Sequence, residues 1–130
     1  MANRPLSPHL QIYRLPLLPL LSITHRITGF GLSLAAVLIP VVLISLIMGP
    51  EAYARLYAHL AAWYGQTVLL LISVSLIFHT LNGIRHLVWD LGRNLAVSNA
   101  ERSGYAVIIF TLLLTAGLWL WIYRGMVFHE

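Results

Sequence analysis

Three long apolar runs without charge dominate the sequence and limit the folds that it can adopt. Residues 27–50, 56–84 and 103–123 contain no Asp, Glu, Lys or Arg. Each run is long enough to cross the hydrocarbon core of a bilayer as an α-helix, which takes about 20 apolar residues. Because backbone polar groups in lipid need partners within the protein, we predict an all-α integral membrane protein with three transmembrane helices.

The composition agrees with a location in a lipid bilayer. Apolar residues make up 59% of the 130-residue chain and charged residues only 9%, whereas soluble domains carry about 25% charged residues. The mean hydropathy is +0.83. The sequence has no cysteine, which excludes iron–sulfur ligation, thiolate zinc sites and disulfides from this chain. A metal would have to be held by histidine, by carboxylate or by a partner.

The distribution of the arginines predicts the orientation in the membrane. The eight cations are all arginine and lie singly between apolar runs, so no basic stripe is available for a nucleic-acid backbone, and we exclude nucleic-acid binding. In the predicted three-helix topology, six arginines fall on one side of the membrane: Arg4, Arg14, Arg26, Arg85, Arg93 and Arg102. Arg55 and Arg124 fall on the other side. The positive-inside rule then predicts a cytoplasmic N-terminus and a periplasmic C-terminus, and the absence of signal- or transit-peptide features favours the bacterial inner membrane.

Prolines and polar segments predict the boundaries within a single membrane domain of residues 1–130. Pro5, Pro8, Pro16 and Pro19 interrupt any helix near the N-terminus, so we predict an irregular cytoplasmic arm over residues 1–19. The helices are expected at about residues 20–48, 56–87 and 104–123. Pro40 is expected to kink the first helix, and the polar residues before 104 are expected to form a loop.

His79 is the first candidate for chemistry, because ionisable side chains inside a membrane are costly and therefore functional candidates. Ser75 and Gly83 lie one turn from His79 on the same helix face, and His86 lies two turns along. The small neighbours leave room for a flat group such as haem, whose iron takes an imidazole ligand. Spacing alone leaves open the alternative that His79 only hydrogen-bonds to another helix. His86 is expected to be solvated or bonded to an anionic group.

The stretch SITHRITG is the second candidate, at the start of the first helix. Ser22, His25, Arg26 and Gly29 fall on one helical face, which offers a hydroxyl, an imidazole, a guanidinium and a gap. The alternatives are that Ser22 is an N-cap and that Arg26 is an anchor to the interface. The predicted topology sets this face at the same depth as His79. The polar face of the first helix and the histidines of the second are therefore both expected near the inner side of the membrane.

Three motifs carry a resemblance to a known family. They are RPLSPHLQIYR in the arm, SITHRITG in the first helix and HTLNGIRHLVWDLG at the inner end of the second. At this spacing the sequence resembles the cytochrome b membrane-anchor subunit of succinate dehydrogenase, respiratory complex II, and most of all its alphaproteobacterial and mitochondrial branch. The resemblance implies partnership with a flavoprotein subunit, an iron–sulfur subunit and a second membrane-anchor subunit. It also implies electron transfer from the iron–sulfur subunit to quinone, within the tricarboxylic acid cycle and the respiratory chain.

The resemblance also implies roles for individual residues. His79 corresponds to the axial ligand of haem b, with the other axial ligand supplied by the companion anchor subunit. Ser22 and Arg26 correspond to residues of the ubiquinone-reduction site, and His25 corresponds to a residue close to the haem propionates. Independently of the resemblance, the charge of Arg26 suits pairing with the propionates, and His86 is a further candidate for contact with them. No catalytic residue for succinate oxidation is expected on this chain alone, because the flavin and cluster chemistry belongs to the soluble subunits.

Two alternative functions stay open at this point. The first is a quinone-binding anchor of the same class without haem. The second is a small helical membrane assembly or channel subunit, in which the histidines hydrogen-bond only between helices.

Overall fold

A computed structural model describes residues 15–128 of the chain, and this part contains five α-helices. They are α1 (Leu17–Ala35), α2 (Leu38–Ile47), α3 (Pro50–Ala61), α4 (Trp63–Asp90) and α5 (Val97–Phe128). Three stretches are long and apolar enough to cross a membrane, namely Leu17–Ile47, Trp63–Asp90 and Val97–Gly125. The predicted all-α fold with three spans is confirmed, while the orientation of the termini stays a prediction. We call the end of the bundle that holds the α4–α5 connection the inner end.

The first helix begins at Leu17, earlier than the predicted residue 20. Pro19 lies in the first turn, where a backbone N–H has no acceptor within the helix, so the proline removes no hydrogen bond. The N–H of Leu20 already donates to the carbonyl of Pro16 at 3.3 Å. The predicted arm of residues 1–19 therefore loses its last residues to α1, and residues 1–14 lie outside the described part of the chain.

The first span is interrupted at Ala36 and Val37, one turn before Pro40. Pro40 has no N–H to donate to the carbonyl of Ala36, and its ring would crowd that carbonyl in a regular helix. The Ala36 carbonyl accepts the N–H of Ile39 instead, at 3.1 Å. The kink expected at Pro40 is therefore a short break, and the single helix predicted for residues 20–48 is in fact α1 followed by α2.

The helix predicted for residues 56–87 is also two helices, because the chain is extended at Ala62. The turn between α3 and α4 is tight at Gly65, where a β-carbon would collide with the carbonyl oxygens of His59 and Leu60. Glycine is the residue that permits such a close backbone approach. The sequence pattern hides this break, since the apolar run continues through it and Ala62 is neither proline nor glycine.

The inner connection is shorter than the loop predicted before residue 104. It covers residues 91–96, and Gly92 and Asn94 take positive φ angles of 72° and 58° there. From Val97 onwards no proline or glycine occurs until Gly104, so the polar segment continues α5 as helix. Polar side chains do not prevent a helix where its turns extend beyond the hydrocarbon core.

The spans pack most closely at the inner end. There α4 packs against both α1 and α5, and α1 also contacts α5. Towards the outer end, α2 and α4 each pack against α3. Leu21, Phe78 and Val107 form the buried contact between the three spans. Most other large apolar side chains of the described residues are exposed, which suits contact with lipid or with membrane partners.

Candidate functional site

His79 lies on α4 with its ring against α1. Its Nδ1 is 3.1 Å from the carbonyl oxygen of His25 and 3.3 Å from Oγ1 of Thr28. A carbonyl oxygen can only accept a hydrogen bond, so Nδ1 is the donor, and the tautomer with this proton has its lone pair on Nε2. Within residues 15–128 no hydrogen bond uses Nε2. His79 therefore presents the nitrogen that a metal ligand needs.

Gly29 allows α1 to approach the ring of His79, whereas the approach of His25 to Gly83 does not require a glycine. A β-carbon on Gly29 would lie 2.8 Å from Cε1 of His79, so only glycine lets α1 pass this ring without a shift. A β-carbon on Gly83 would lie 3.9 Å from Cε1 of His25, which is ordinary contact. The gap expected at Gly29 is therefore filled by the His79 ring.

Four aromatic rings form a continuous series at the inner end, which we call the histidine stack (His25, His79, His86 and Trp89). The rings of His25 and His79 are parallel within 9°, with centroids 3.8 Å apart. The centroid of His86 lies 5.3 Å from that of His25 and 5.1 Å from that of Trp89. The structure thus brings together the three histidines that the sequence placed at one depth.

Three nitrogen atoms of the histidine stack are buried without a hydrogen-bond partner among the described residues: His25 Nδ1, His86 Nδ1 and Trp89 Nε1. Buried polar atoms are nearly always hydrogen-bonded in folded proteins, so polar groups from outside the chain are expected here. No cluster of three or more His, Asp or Glu side chains in residues 15–128 could hold a metal ion alone. The single imidazole of His79, with no hydrogen bond to Nε2 in residues 15–128, is the kind of donor that the iron of a porphyrin takes from a protein.

Ser22 and Arg26 form a pair on α1 beside the histidine stack. Nη2 of Arg26 donates to Oγ of Ser22 at 3.3 Å, and the Arg26 side chain is exposed. Ser22 lies inside the helix, whose N-cap is Pro16, so the alternative that Ser22 is an N-cap is wrong. The hydroxyl of Ser22 accepts in this pair and keeps its hydrogen for another acceptor. The pair offers an O–H donor and a permanent cation at the chain surface.

Arg85, one of the six arginines predicted to share the inner side, is buried between α4 and α5. Its side chain is 6% exposed. The guanidinium donates to Oγ of Ser103 at 2.9 Å, to the carbonyl of Ala100 at 2.8 Å and to Oδ1 of Asn82 at 3.2 Å. It also lies 4.0 Å from the ring centroid of Trp89, a cation–π distance. Arg85 thereby holds the histidine stack to the start of α5.

Sequence reasoning missed two contributors to this site, Thr28 and Arg85. Thr28 lies three residues after His25 in SITHRITG, so helical spacing predicts that both residues share the face of α1 that packs against α4. Arg85 offered a weaker signal, because Asn82 lies one turn before it but the other two acceptors belong to a segment that the sequence pattern assigned to a loop.

Two pairs of polar side chains contact each other at the outer end of the described part of the chain. Nδ1 of His59 lies 2.7 Å from the hydroxyl of Tyr64, and the hydroxyl of Tyr123 donates to Oε1 of Gln66 at 2.8 Å. In the outer half of α5, Thr115 Oγ1 and Trp119 Nε1 are also buried without a partner among the described residues, but no histidine nitrogen is among the unpartnered atoms there. The candidate site is therefore at the inner end.

Comparison with known proteins finds relatives over nearly the whole chain. The family described as succinate dehydrogenase/fumarate reductase transmembrane subunit matches residues 1–118. The succinate dehydrogenase cytochrome b556 subunit of Paracoccus denitrificans is 41% identical over 112 residues, which cover 86% of this chain and 86% of that protein. The mitochondrial succinate dehydrogenase cytochrome b560 subunit of Sus scrofa is 40% identical over 121 residues, covering 90% of this chain and 70% of its own length. The cytochrome b556 subunit of Rickettsia felis is 36% identical, with coverages of 90% and 91%.

Proposed function

The chain belongs to the succinate dehydrogenase/fumarate reductase transmembrane subunit family, and from this premise we propose that it anchors a succinate:quinone oxidoreductase in the membrane. In this proposal His79 would hold the iron of haem b together with a residue of a second membrane-anchor subunit. Ser22 and Arg26 form part of the ubiquinone-reduction site. The observation that carries the haem proposal is the free Nε2 of His79, on a ring whose Nδ1 is held by α1.

The donor atoms around His79 suit a haem with two propionate groups. His25 and His86 each have a buried Nδ1 without a partner, and an N–H at that atom would donate to a carboxylate. Arg26 adds a permanent positive charge next to His25, which offsets the cost of carboxylates at membrane depth. When bound, haem b supplies a one-electron redox centre. The chain's own part is to hold the iron, compensate the propionate charge and limit water access.

Gly29→Ala tests the contact between α1 and His79. The new methyl group would lie 2.8 Å from Cε1 of His79, so the ring or α1 must shift and the ligand nitrogen moves with it. We expect about tenfold weaker haem retention, a typical loss when the support of a metal ligand is disturbed. Haem content per complex is the measurement. Gly31→Ala on the same helix is the matched control, because a β-carbon there meets nothing within 4 Å. Equal haem contents in the two variants would contradict the tight contact.

Ser22 and Arg26 have the donors that quinone reduction requires. The hydroxyl of Ser22 donates a hydrogen bond to a quinone carbonyl oxygen. The guanidinium of Arg26 stabilises the negative charge that grows on that oxygen as electrons arrive. Conversion to the quinol takes two electrons and two protons, and the electrons come from the iron–sulfur subunit. This chain orients the head group and lowers the energy of the charge that develops on it.

The proposed partners follow from what the chain lacks. With no cysteine it holds no iron–sulfur cluster, so an iron–sulfur subunit and a flavoprotein subunit carry out succinate oxidation. The exposed apolar side chains of the spans face the lipid bilayer and the second anchor subunit. We place all 130 residues in one anchor domain of a bacterial inner membrane, with the N-terminus cytoplasmic and the C-terminus periplasmic.

Purification through a tag on this chain tests the proposed function. The expected product contains a flavoprotein, an iron–sulfur subunit and a second anchor, and it shows a reduced b-type α-band. The same subunits without that band would support the haem-free quinone-binding anchor instead. A stable homo-oligomer of this chain alone would support the channel or assembly subunit and would reject the anchor role.

A further inference from the structure

The hydroxyl of Thr28 donates its hydrogen bond within its own helix. Oγ1 of Thr28 lies 2.9 Å from the carbonyl oxygen of Thr24 and 3.0 Å from that of His25. Carbonyl oxygens have no hydrogen to give, so the hydroxyl hydrogen points back along α1. Towards any other neighbour, Thr28 can then act only as an acceptor.

That neighbour is Nδ1 of His79 on the facing helix. The nitrogen lies 3.3 Å from Oγ1 of Thr28 and 3.1 Å from the carbonyl oxygen of His25. Both oxygens are acceptors, and both belong to one turn of α1. The Nδ1–H of His79 is therefore shared between them, and the other tautomer would set a lone pair against two oxygens. This arrangement specifies the tautomer as well as the ring position.

We propose that Thr28 is a positioning residue for haem ligation, which fixes the tautomer and ring plane of His79 and sets how strongly Nε2 donates to iron. The inference rests on the proposed role of His79 as a haem ligand. An acceptor on the far nitrogen of a metal-bound imidazole fixes the orientation of the ring and raises the basicity of the ligating nitrogen. Stronger donation favours the ferric state, so Thr28 holds the midpoint potential of the haem below the value that the His25 carbonyl would give alone.

The surroundings leave the His79 ring little freedom to replace this contact. One face of the ring is covered by His25 at a centroid distance of 3.8 Å. At the ring edge, Cε1 lies next to the position that a β-carbon of Gly29 would take. Rotation of the ring away from Thr28 would break the hydrogen bond to the His25 carbonyl as well. The hydroxyl is thus a second acceptor in a fixed position.

Thr28→Val removes the hydroxyl at nearly constant volume, and Thr28→Ser keeps it. We expect the complex with Thr28→Val to show a higher midpoint potential of the b haem and about tenfold faster haem transfer to excess apomyoglobin. Thr28→Ser should stay close to the unmodified complex in both measurements. Thr67→Val is the matched control, because Thr67 makes the same back-bond within a helix, to the carbonyl of Trp63 at 2.8 Å, and lies at the outer end.

Several outcomes would overturn the inference. They are an unchanged potential and haem release in Thr28→Val, a Thr28→Ser variant that behaves like Thr28→Val, or the same shift in Thr67→Val. If Thr28→Val does not assemble, Thr28→Ala provides the same comparison without the branched methyl group. Retention of haem by His79→Ala would instead reject the proposed function, so the two failures are distinguishable.

Discussion

His79→Ala is expected to abolish the b-type α-band of the reduced complex. Alanine removes the ligand nitrogen, and no second histidine of α4 can take its place without leaving the histidine stack, since the ring of His86 lies against Trp89. A reduced-minus-oxidised difference spectrum of the purified complex, with haem quantified per flavin, measures the effect. Haem occupancy should fall to background, which makes this the largest effect that we predict.

His59→Ala is the control for that experiment. His59 lies at the outer end and contacts Tyr64, so its loss should leave the α-band unchanged while it removes an imidazole from the same chain. An intact band in His79→Ala would show that His79 is a hydrogen-bonding residue between helices and that iron has another ligand. Loss of the band in both variants would indicate a general defect of assembly.

Arg26→Leu is expected to lower the rate of succinate-dependent quinone reduction about 100-fold, the usual cost of removing a group that stabilises developing negative charge. Ser22→Ala should lower it about fivefold, which corresponds to one neutral hydrogen bond of about 1 kcal/mol. Oxidation of succinate by a soluble artificial acceptor should be unaffected in both variants, because that reaction needs only the flavoprotein and iron–sulfur subunits. The ratio of the two rates is the measurement.

Controls for the quinone site come from the same chain. Arg26→Lys keeps the charge and any effect on topology but loses the planar fork, so an intermediate rate is expected. Ser33→Ala removes a hydroxyl of α1 that donates to the carbonyl of Gly29 at 3.0 Å. This variant should leave both rates unchanged. Equal losses with quinone and with the artificial acceptor in Arg26→Leu would refute a role in quinone binding.

The three spans were predictable because hydropathy reports directly on transfer into lipid, but their ends were not. Pro19 reads as a helix breaker, yet a proline in the first turn removes no intrahelical hydrogen bond. Ala62 carries no breaking signal at all, and the break there depends on the fit of Gly65 beneath the end of α3. The early start of α5 at Val97 shows that polar residues between two spans need not be a loop.

The sequence predicted which residues belong to the candidate site, but it did not predict the direction of each side chain. Helical spacing put Ser22, His25 and Arg26 on one face, and the structure divides that face into two directions. His25 turns towards α4 and stacks on His79, whereas Arg26 remains exposed beside Ser22. A stripe of about 100° is wide enough to serve two neighbours at once, so spacing alone cannot assign each side chain to one of them.

The burial of Arg85 could not be predicted for a different reason. Its environment is made by Ala100 and Ser103, whose placement depends on α5 beginning before residue 104. A buried cation is costly unless its donors are satisfied, and here they are met by Asn82 of α4 and by two neutral acceptors of α5. The contribution of α5 is tertiary, so no local pattern around position 85 contains it.

The break at Ala36 and Val37 has a mechanical consequence for the first span. A helix without its regular hydrogen bonds bends most easily at that point, so thermal bending of the span is concentrated between α1 and α2. The outer segment α2 packs against α3, whereas α1 packs against both α4 and α5. We therefore expect a change in bilayer thickness to tilt the outer half of the span more than the inner half, which holds the 3.8 Å ring contact. A flexible joint at the break would in this way separate the histidines from the motion of the bilayer.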